Sequence, residues 1–221
     1  MIAGIVTQQV FDQILANQCP HASMCDFLEL RYDTFHGRDW ATLVGQLRQA
    51  LPDKKVIGTI RLKGDGGEFP DDNFDSFVTD RIELWKAILA ADQYPDWVDC
   101  EMTLCEYLTG VLRARPVKIL LSAHDWSNKF NTETAARLLG RSSVYHADGV
   151  KLAVTGKDSV AEVQRFLTHT GRYELVSAFV MGEDYTYTRY DSLKQGANLA
   201  YCSLDGSTKF GMATVEEMYR H

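Results

Sequence analysis

Lys151 puts a charge in the middle of a short apolar run, DGVKLAV (148–154), and His124 lies near the end of another, VKILLSAHD (117–125). An amine held out of water and near other cations becomes nucleophilic and can condense with a ketone to an imine. The iminium is an electron sink that acidifies the neighbouring C–H. A histidine within reach could remove that proton and later protonate a leaving hydroxyl. Arg31, Arg61 and Arg189 supply paired donors suited to a carboxylate. The set predicts imine-mediated chemistry on a small hydroxylated keto acid.

Each of these residues also has a plainer reading. Arg31 could pair with Glu29 as a structural ion pair. Asp99 and Glu101 read as residues that orient cations rather than react. A lone histidine such as His124 is more often a hydrogen-bonded core residue, Asp125 could cap the loop that follows it, and Lys151 could snorkel to a barrel mouth. Placement is what separates the two readings.

Eight runs rich in apolar and β-branched residues read as strands: 2–7, 26–33, 55–62, 97–102, 117–125, 148–154, 174–182 and 198–204. Helical spacing is read at 40–51, 74–89, 105–115, 132–140, 159–167, 190–196 and 214–220. Ser159 with Glu162 has the form of a capping box, and Gly140 is placed to end its helix at C′. Alternating strands and helices fit parallel β/α units, either doubly wound or closed. The first strand is not followed by a G-x-G-x-x-G turn, which weakens the dinucleotide-binding form. A single-domain (β/α)8 barrel over residues 1–221 is the expected architecture. In such a barrel chemistry gathers at the C-terminal ends of the strands. Glu29, Arg31, Arg61, Asp65, Asp99, Glu101, His124, Lys151 and Arg189 all fall at or just after strand ends. Alternation turns Glu29 and Arg31 inward with Leu28 and Leu30 outward, and Lys151 inward with Val150 and Leu152 outward.

Composition narrows the partners. The formal net charge of −7 argues against nucleic acid and anionic membrane surfaces, which need a basic face. No apolar run approaches the length of about 18 residues that spans a bilayer, and the N-terminus lacks the basic start of a signal peptide. The expected setting is the cytoplasm. Five cysteines without a C-x-x-C pair read as free thiols, and Cys19, His21 and Cys25 lack the second ligand pair of a metal site.

The motifs resemble those of the type I 3-dehydroquinate dehydratase family, in order along nearly the whole chain. LELRYD (28–33) is similar to the family's E-x-R strand and GTIRLKGDGGE (58–68) to its T-x-R…E-G-G segment. VDCEM (98–102) is similar to its acidic fourth strand and LLSAHDW (120–126) to its S-x-H-D-F strand. ADGVKLAV (147–154) resembles the Schiff-base strand, and FVMGEDYTYTRY (179–190) the M-G…S-R segment. The resemblance implies dehydration of 3-dehydroquinate to 3-dehydroshikimate without cofactor or metal. Lys151 would form the imine with the C3 ketone, and His124 would move the protons with support from Asp65. Arg189 would bind the carboxylate, with Glu29, Arg31 and Arg61 holding hydroxyls and carboxylate. A homodimer would fit the family.

Two departures accompany the resemblance. Asp65 stands where the family has glutamate. TKFGM (208–212) stands where the family has S-A-P-G-Q, so Thr208 keeps a hydroxyl while Met212 replaces a substrate-touching glutamine. They imply a slow or weakly binding enzyme. Another Schiff-base lyase, aldolase-like and acting on a related keto acid, and a non-catalytic metabolite-binding barrel are the alternatives.

Overall fold

The computed structural model describes residues 1–128 and 132–220. The eight apolar runs form eight parallel strands: β1 Ile2–Val6, β2 Phe27–Arg31, β3 Lys55–Thr59, β4 Trp97–Glu101, β5 Lys118–Asp125, β6 Gly149–Val154, β7 Leu175–Val180 and β8 Ala200–Ser203. A two-residue β9, Ala213–Thr214, follows. They form one sheet in the order β7-β6-β5-β4-β3-β2-β1-β8-β9. The helices are α1 Gln8–Leu15, α2 Leu43–Ala50, α3 Phe74–Ala90, α4 Cys105–Leu112, α5 Thr132–Val144, α6 Ser159–Leu167, α7 Thr188–Lys194 and α8 Val215–Arg220. The chain therefore adopts the expected (β/α)8 barrel. Among the described residues no helix is long and apolar enough to cross a membrane.

Alternation sorts the side chains into two cores. Leu28, Leu30, Val98, Leu121, Val150 and Leu152 face outward into the large core shared with the helices. Ala3, Phe27, Ile57, Trp97, Leu120, Leu175 and Leu199 face inward and fill the N-terminal end of the barrel. Register then sets the polar layer above this plug. Thr59 pairs with Asp99, Ser122 with Lys151, and Lys151 with Ser177.

The seam between β7 and β8 has no strand ladder among the described residues. Asn198 and Leu199 N–H groups both donate to the Val176 carbonyl at 3.0 Å, joining the two strands near their starts. At the opposite end the chain after β8 returns to the seam. Ala213 pairs with Cys202, and the Gly182 N–H donates to the Phe210 carbonyl at 3.1 Å. The segment that closes the seam is thus the same one that covers the barrel mouth.

Five features differ from the sequence reading, the first being that Ser159 lies inside α6 and makes no capping box with Glu162, its hydroxyl donating instead to the Thr155 carbonyl at 2.6 Å. Helix α1 was not expected, although Thr7 caps it by accepting from the Val10 N–H at 3.4 Å and Val10, Phe11 and Ile14 are buried. Eight residues directly after a strand offer too short a periodic window to stand out. Gly140 lies inside α5 rather than at its end. The span 40–51 begins with a 3-10 turn before α2. β9 was not expected, because two residues carry no alternation to read. All five cysteines are free thiols, and His21 pairs with Glu216 at 3.0 Å.

Candidate active site

β6 carries Lys151 into the barrel, where its side chain is 7% exposed. Its Nζ donates to Glu29 Oε1 at 3.2 Å and to Asp99 Oδ2 at 3.1 Å. It also lies 3.9 Å from the centre of the Tyr201 ring, a cation–π contact. The immediate neighbours of Lys151 are therefore two carboxylates and an aromatic face, rather than the cations expected from sequence. The cation Arg61 is one step away, donating from Nη2 to the same Asp99 Oδ2 at 2.6 Å. Asp99 also accepts from Ser122 Oγ at 2.5 Å. Burial pushes the Asp99 carboxyl upward, but Arg61 and Lys151 outweigh it and hold the group below the usual carboxylate range.

Arg61 continues the line of charges. Its Nη1 donates to Ser122 Oγ at 3.1 Å and lies 3.3 Å from Glu101 Oε1. Arg31 does not pair with Glu29, the plainer reading above. It grips Asp33 with both ends of its fork, Nε at 3.0 Å and Nη2 at 2.7 Å. Asp33 is held in turn by the Arg61 and Glu68 N–H groups at 3.1 Å each. Glu29 is committed instead across the strands, accepting from Thr59 Oγ1 at 3.0 Å and from Lys151.

His124, near the end of β5, has Nδ1 3.5 Å from Arg61 Nη1 and 3.9 Å from Asp65 Oδ2. Burial, with Arg61 and Lys151 nearby, drives the imidazole well below its ordinary pKa, so the ring is neutral. Burial likewise raises Asp65 to about 6, with Arg61 opposing the rise. A neutral histidine that acts as a base at Nε2 must carry its proton on Nδ1. Asp65 Oδ2, at 3.9 Å from Nδ1, is beyond hydrogen-bond reach, and the nearer Arg61 Nη1 can only donate.

Arg189, on α7, faces the same cavity from the other wall. It is 1% exposed, with its guanidinium 3.9 Å from the Phe179 ring centre. Nε donates to the Gly211 carbonyl at 2.8 Å and Nη2 to the Phe210 carbonyl at 3.0 Å. Nη1 is buried without a hydrogen-bond partner among the described residues. Burial lowers the Arg189 pKa to about 10. The segment that Arg189 holds is tightly specified. Phe210 sits at φ 58°, and Gly211 at φ 67° approaches the Gly182 carbonyl so closely that a Cβ would collide with it. The Phe210 ring packs edge-on against Trp126 at 5.1 Å.

Glu29, Arg31, Arg61, Asp65, His124, Lys151, Arg189 and Met212 all line one cavity of about 80 Å3 at the C-terminal mouth. Thr208 lies outside that lining, exposed, with its carbonyl accepting from the Gly211 N–H at 3.0 Å. An outer chamber of about 190 Å3 shares Ile5, Arg31, Gly66, Phe210 and Met212 with the cavity, so Phe210 and Met212 stand between the two. Reading the sequence missed Ser122, Thr59 and Tyr201 as partners of the charged set. Their inward alternation was the available signal. It also missed Arg81, 0% exposed on α3, which donates to Glu101 Oε2 at 2.6 Å.

A buried lysine, a neutral histidine and an arginine with one unpartnered donor among the described residues, converging at the mouth of a (β/α)8 barrel, define a class of lysine-centred barrel sites. Comparison with known proteins gives the family. The type I 3-dehydroquinase model matches residues 3–221, and the chain belongs to that family. The chain is 29% identical over 198 residues to the 3-dehydroquinate dehydratase of Archaeoglobus fulgidus, covering 89% of this chain and 88% of that one. It is 24% identical over 226 residues to the chloroplastic bifunctional 3-dehydroquinate dehydratase/shikimate dehydrogenase of Arabidopsis thaliana, covering 98% of this chain but only 35% of that longer protein. The crystal structure of type I 3-dehydroquinate dehydratase from Clostridium difficile has the same fold, with a TM-score of 0.79 at 18% identity, covering 99% of this chain and 89% of that one.

Proposed function

We propose that the protein dehydrates 3-dehydroquinate to 3-dehydroshikimate through an imine on Lys151. The observation that carries this reading is the convergence of Lys151, His124 and Arg189 on one cavity, with Arg189 Nη1 left without a partner. The unpaired guanidinium N–H suits a carboxylate that the substrate would bring. The Lys151 amine adds to the ketone carbon and water leaves as the imine forms. His124 takes the proton from the adjacent carbon, and the electron pair moves into the iminium. The β-hydroxyl then departs as water with a proton from His124, and hydrolysis returns the lysine. Asp65 supports the Nδ1 proton of His124 once the 3.9 Å gap between them closes. Glu29, Arg31 and Arg61 hold hydroxyls and carboxylate, and Met212 with Thr208 forms the covering segment. With only about 80 Å3 inside, a ring acid reaches Lys151 when Phe210 and Met212 swing aside.

A second reading rests on the same covering segment. The wall formed by Phe210, Met212 and Ile5 is apolar, which favours a keto acid with fewer hydroxyls. The deciding experiment is intact-protein mass after dehydroquinate and borohydride, with product assayed in parallel. A single adduct that disappears in Lys151→Ala, with 3-dehydroshikimate formed, sustains the dehydratase. His124→Ala should keep the adduct and lose about 10²–10⁴ in elimination rate. An adduct with other keto acids but none with dehydroquinate sustains the second reading.

A further inference from the structure

Arg81 lies behind the charged wall rather than in it. Its side chain is fully buried, its guanidinium is 5.7 Å from the centre of the Phe69 ring, and Nη2 donates to Glu101 Oε2 at 2.6 Å. Nε and Nη1 are buried with no hydrogen-bond partner among the described residues. An arginine with two unsatisfied donors is an expensive way to tie a helix to a barrel, because apolar packing would do so without desolvating a cation. The distances indicate another use. Glu101 is 2.6 Å from Arg81 but 3.3 Å from Arg61, whereas Arg61 is 2.6 Å from Asp99. Arg81 takes the stronger share of Glu101 and leaves Arg61 committed to Asp99.

We propose that Arg81 is a positioning residue. By satisfying Glu101 it keeps Arg61 on Asp99 and Ser122 and beside His124, and so limits how strongly Asp99 grips the Lys151 ammonium. The connected line runs Arg81, Glu101, Arg61, Asp99, Lys151, Glu29, alternating in sign with three cations and three carboxylates. Removing Arg81 leaves one carboxylate in excess. Glu101 then draws Arg61 toward itself, and Asp99 turns to Lys151. This role rests on the reading of Lys151 and His124 as the reacting pair, but it has a test that needs no substrate.

Reductive methylation with formaldehyde and cyanoborohydride at one fixed pH, located by peptide mass, reports the availability of the Lys151 amine. In Arg81→Met the Lys151 rate should fall about tenfold as Asp99 holds the ammonium more tightly, while the exposed lysines keep theirs. Arg81→Lys and the double variant Arg81→Met/Glu101→Gln keep the charges balanced and should react like the parent. A Lys151 rate in folded Arg81→Met within twofold of the parent overturns the proposal. Should Arg81→Met not fold, the two balanced variants decide: parent-like rates in both sustain the proposal, and a rate fivefold or more below the parent in either overturns it. Dehydroquinate turnover by the parent separately tests the proposed function. If the parent turns over, kcat should fall in Arg81→Met with KM nearly unchanged, since Arg81 touches no ligand.

Discussion

Arg61 and Arg189 face one cavity from opposite walls, and their surroundings differ in almost every respect but burial. Arg61 meets Asp99, Glu101 and Ser122, and these carboxylates overcome burial to hold its guanidinium more firmly protonated than usual. Arg189 meets two backbone carbonyls and a phenyl face, and burial lowers it to about 10. The wall from β2 to β6 is complete before any ligand arrives. Arg31, Arg61 and Lys151 each have a carboxylate partner there, set by the turn after β2 for Arg31 and by strand register for the other two. The wall at the β7–β8 seam is incomplete, because Arg189 has a buried donor with no partner among the described residues. Under the proposed function, a site built this way separates the groups held still from the one that meets the substrate carboxylate.

The sharpest way to break this contrast is to truncate each arginine. Arg61→Met leaves Asp99 and Glu101 buried and short of a cation, so the protein should lose about 3–5 kcal/mol of stability, read by chemical denaturation, together with its turnover. Arg189→Met leaves no carboxylate unpaired. It should stay folded and raise KM about 10–100-fold, the loss of one charge-assisted contact to a carboxylate. If the two variants lose equal stability, the distinction between a completed and a waiting wall is wrong.

The two walls also differed in how far the sequence disclosed them. Lys151 and His124 were legible because a charge or an imidazole inside an apolar, β-branched run violates the local pattern. Alternation correctly turned Glu29 and Lys151 inward. It could not choose the partner of Arg31, since Asp33 wins only through the turn after β2, while Glu29 is taken by Thr59 and Lys151 from other strands. Arg81 was hidden more deeply. In FDSFVTDRIELWKAIL it reads as one more polar residue of an amphipathic helix, and only the packing of α3 on β4 shows its guanidinium on Glu101. β9 and the closure of the seam by residues 210–214 depend on a return of the chain that no local period encodes.

Asp65 joins the completed wall loosely, at 3.9 Å from His124, and pH tests that join. Its folded pKa of about 6 lies above the ordinary 3.8, so the folded state binds this proton more tightly than the unfolded chain. The stability it contributes is full below pH 3.8 and is lost as pH rises through about 6. His124 has the opposite sign: its depressed pKa contributes stability above 6.5 that is lost as pH falls. Asp65→Asn should therefore match the parent near pH 4 and exceed its stability at pH 7 by about 1–3 kcal/mol. Thermal unfolding of both proteins from pH 4 to 8 checks this. Parallel curves across the range would mean that Asp65 titrates as an ordinary surface acid.

The smallest expected effect lies on the waiting wall. Met212 lines both the cavity and the outer chamber, and its thioether is at best a weak acceptor. In the free protein Met212→Gln places an amide beside Ile5 and Phe210, which offer it no side-chain partner, so a slight loss of thermal stability is expected. With a hydroxylated substrate bound, the same amide gains a hydrogen bond worth about 0.5–1.5 kcal/mol, and KM should fall roughly two- to tenfold. The two changes run in opposite directions, which separates a contact made on closure from a general loosening of the segment. A KM that stays constant while stability drops would show that residues 208–212 close without touching the substrate.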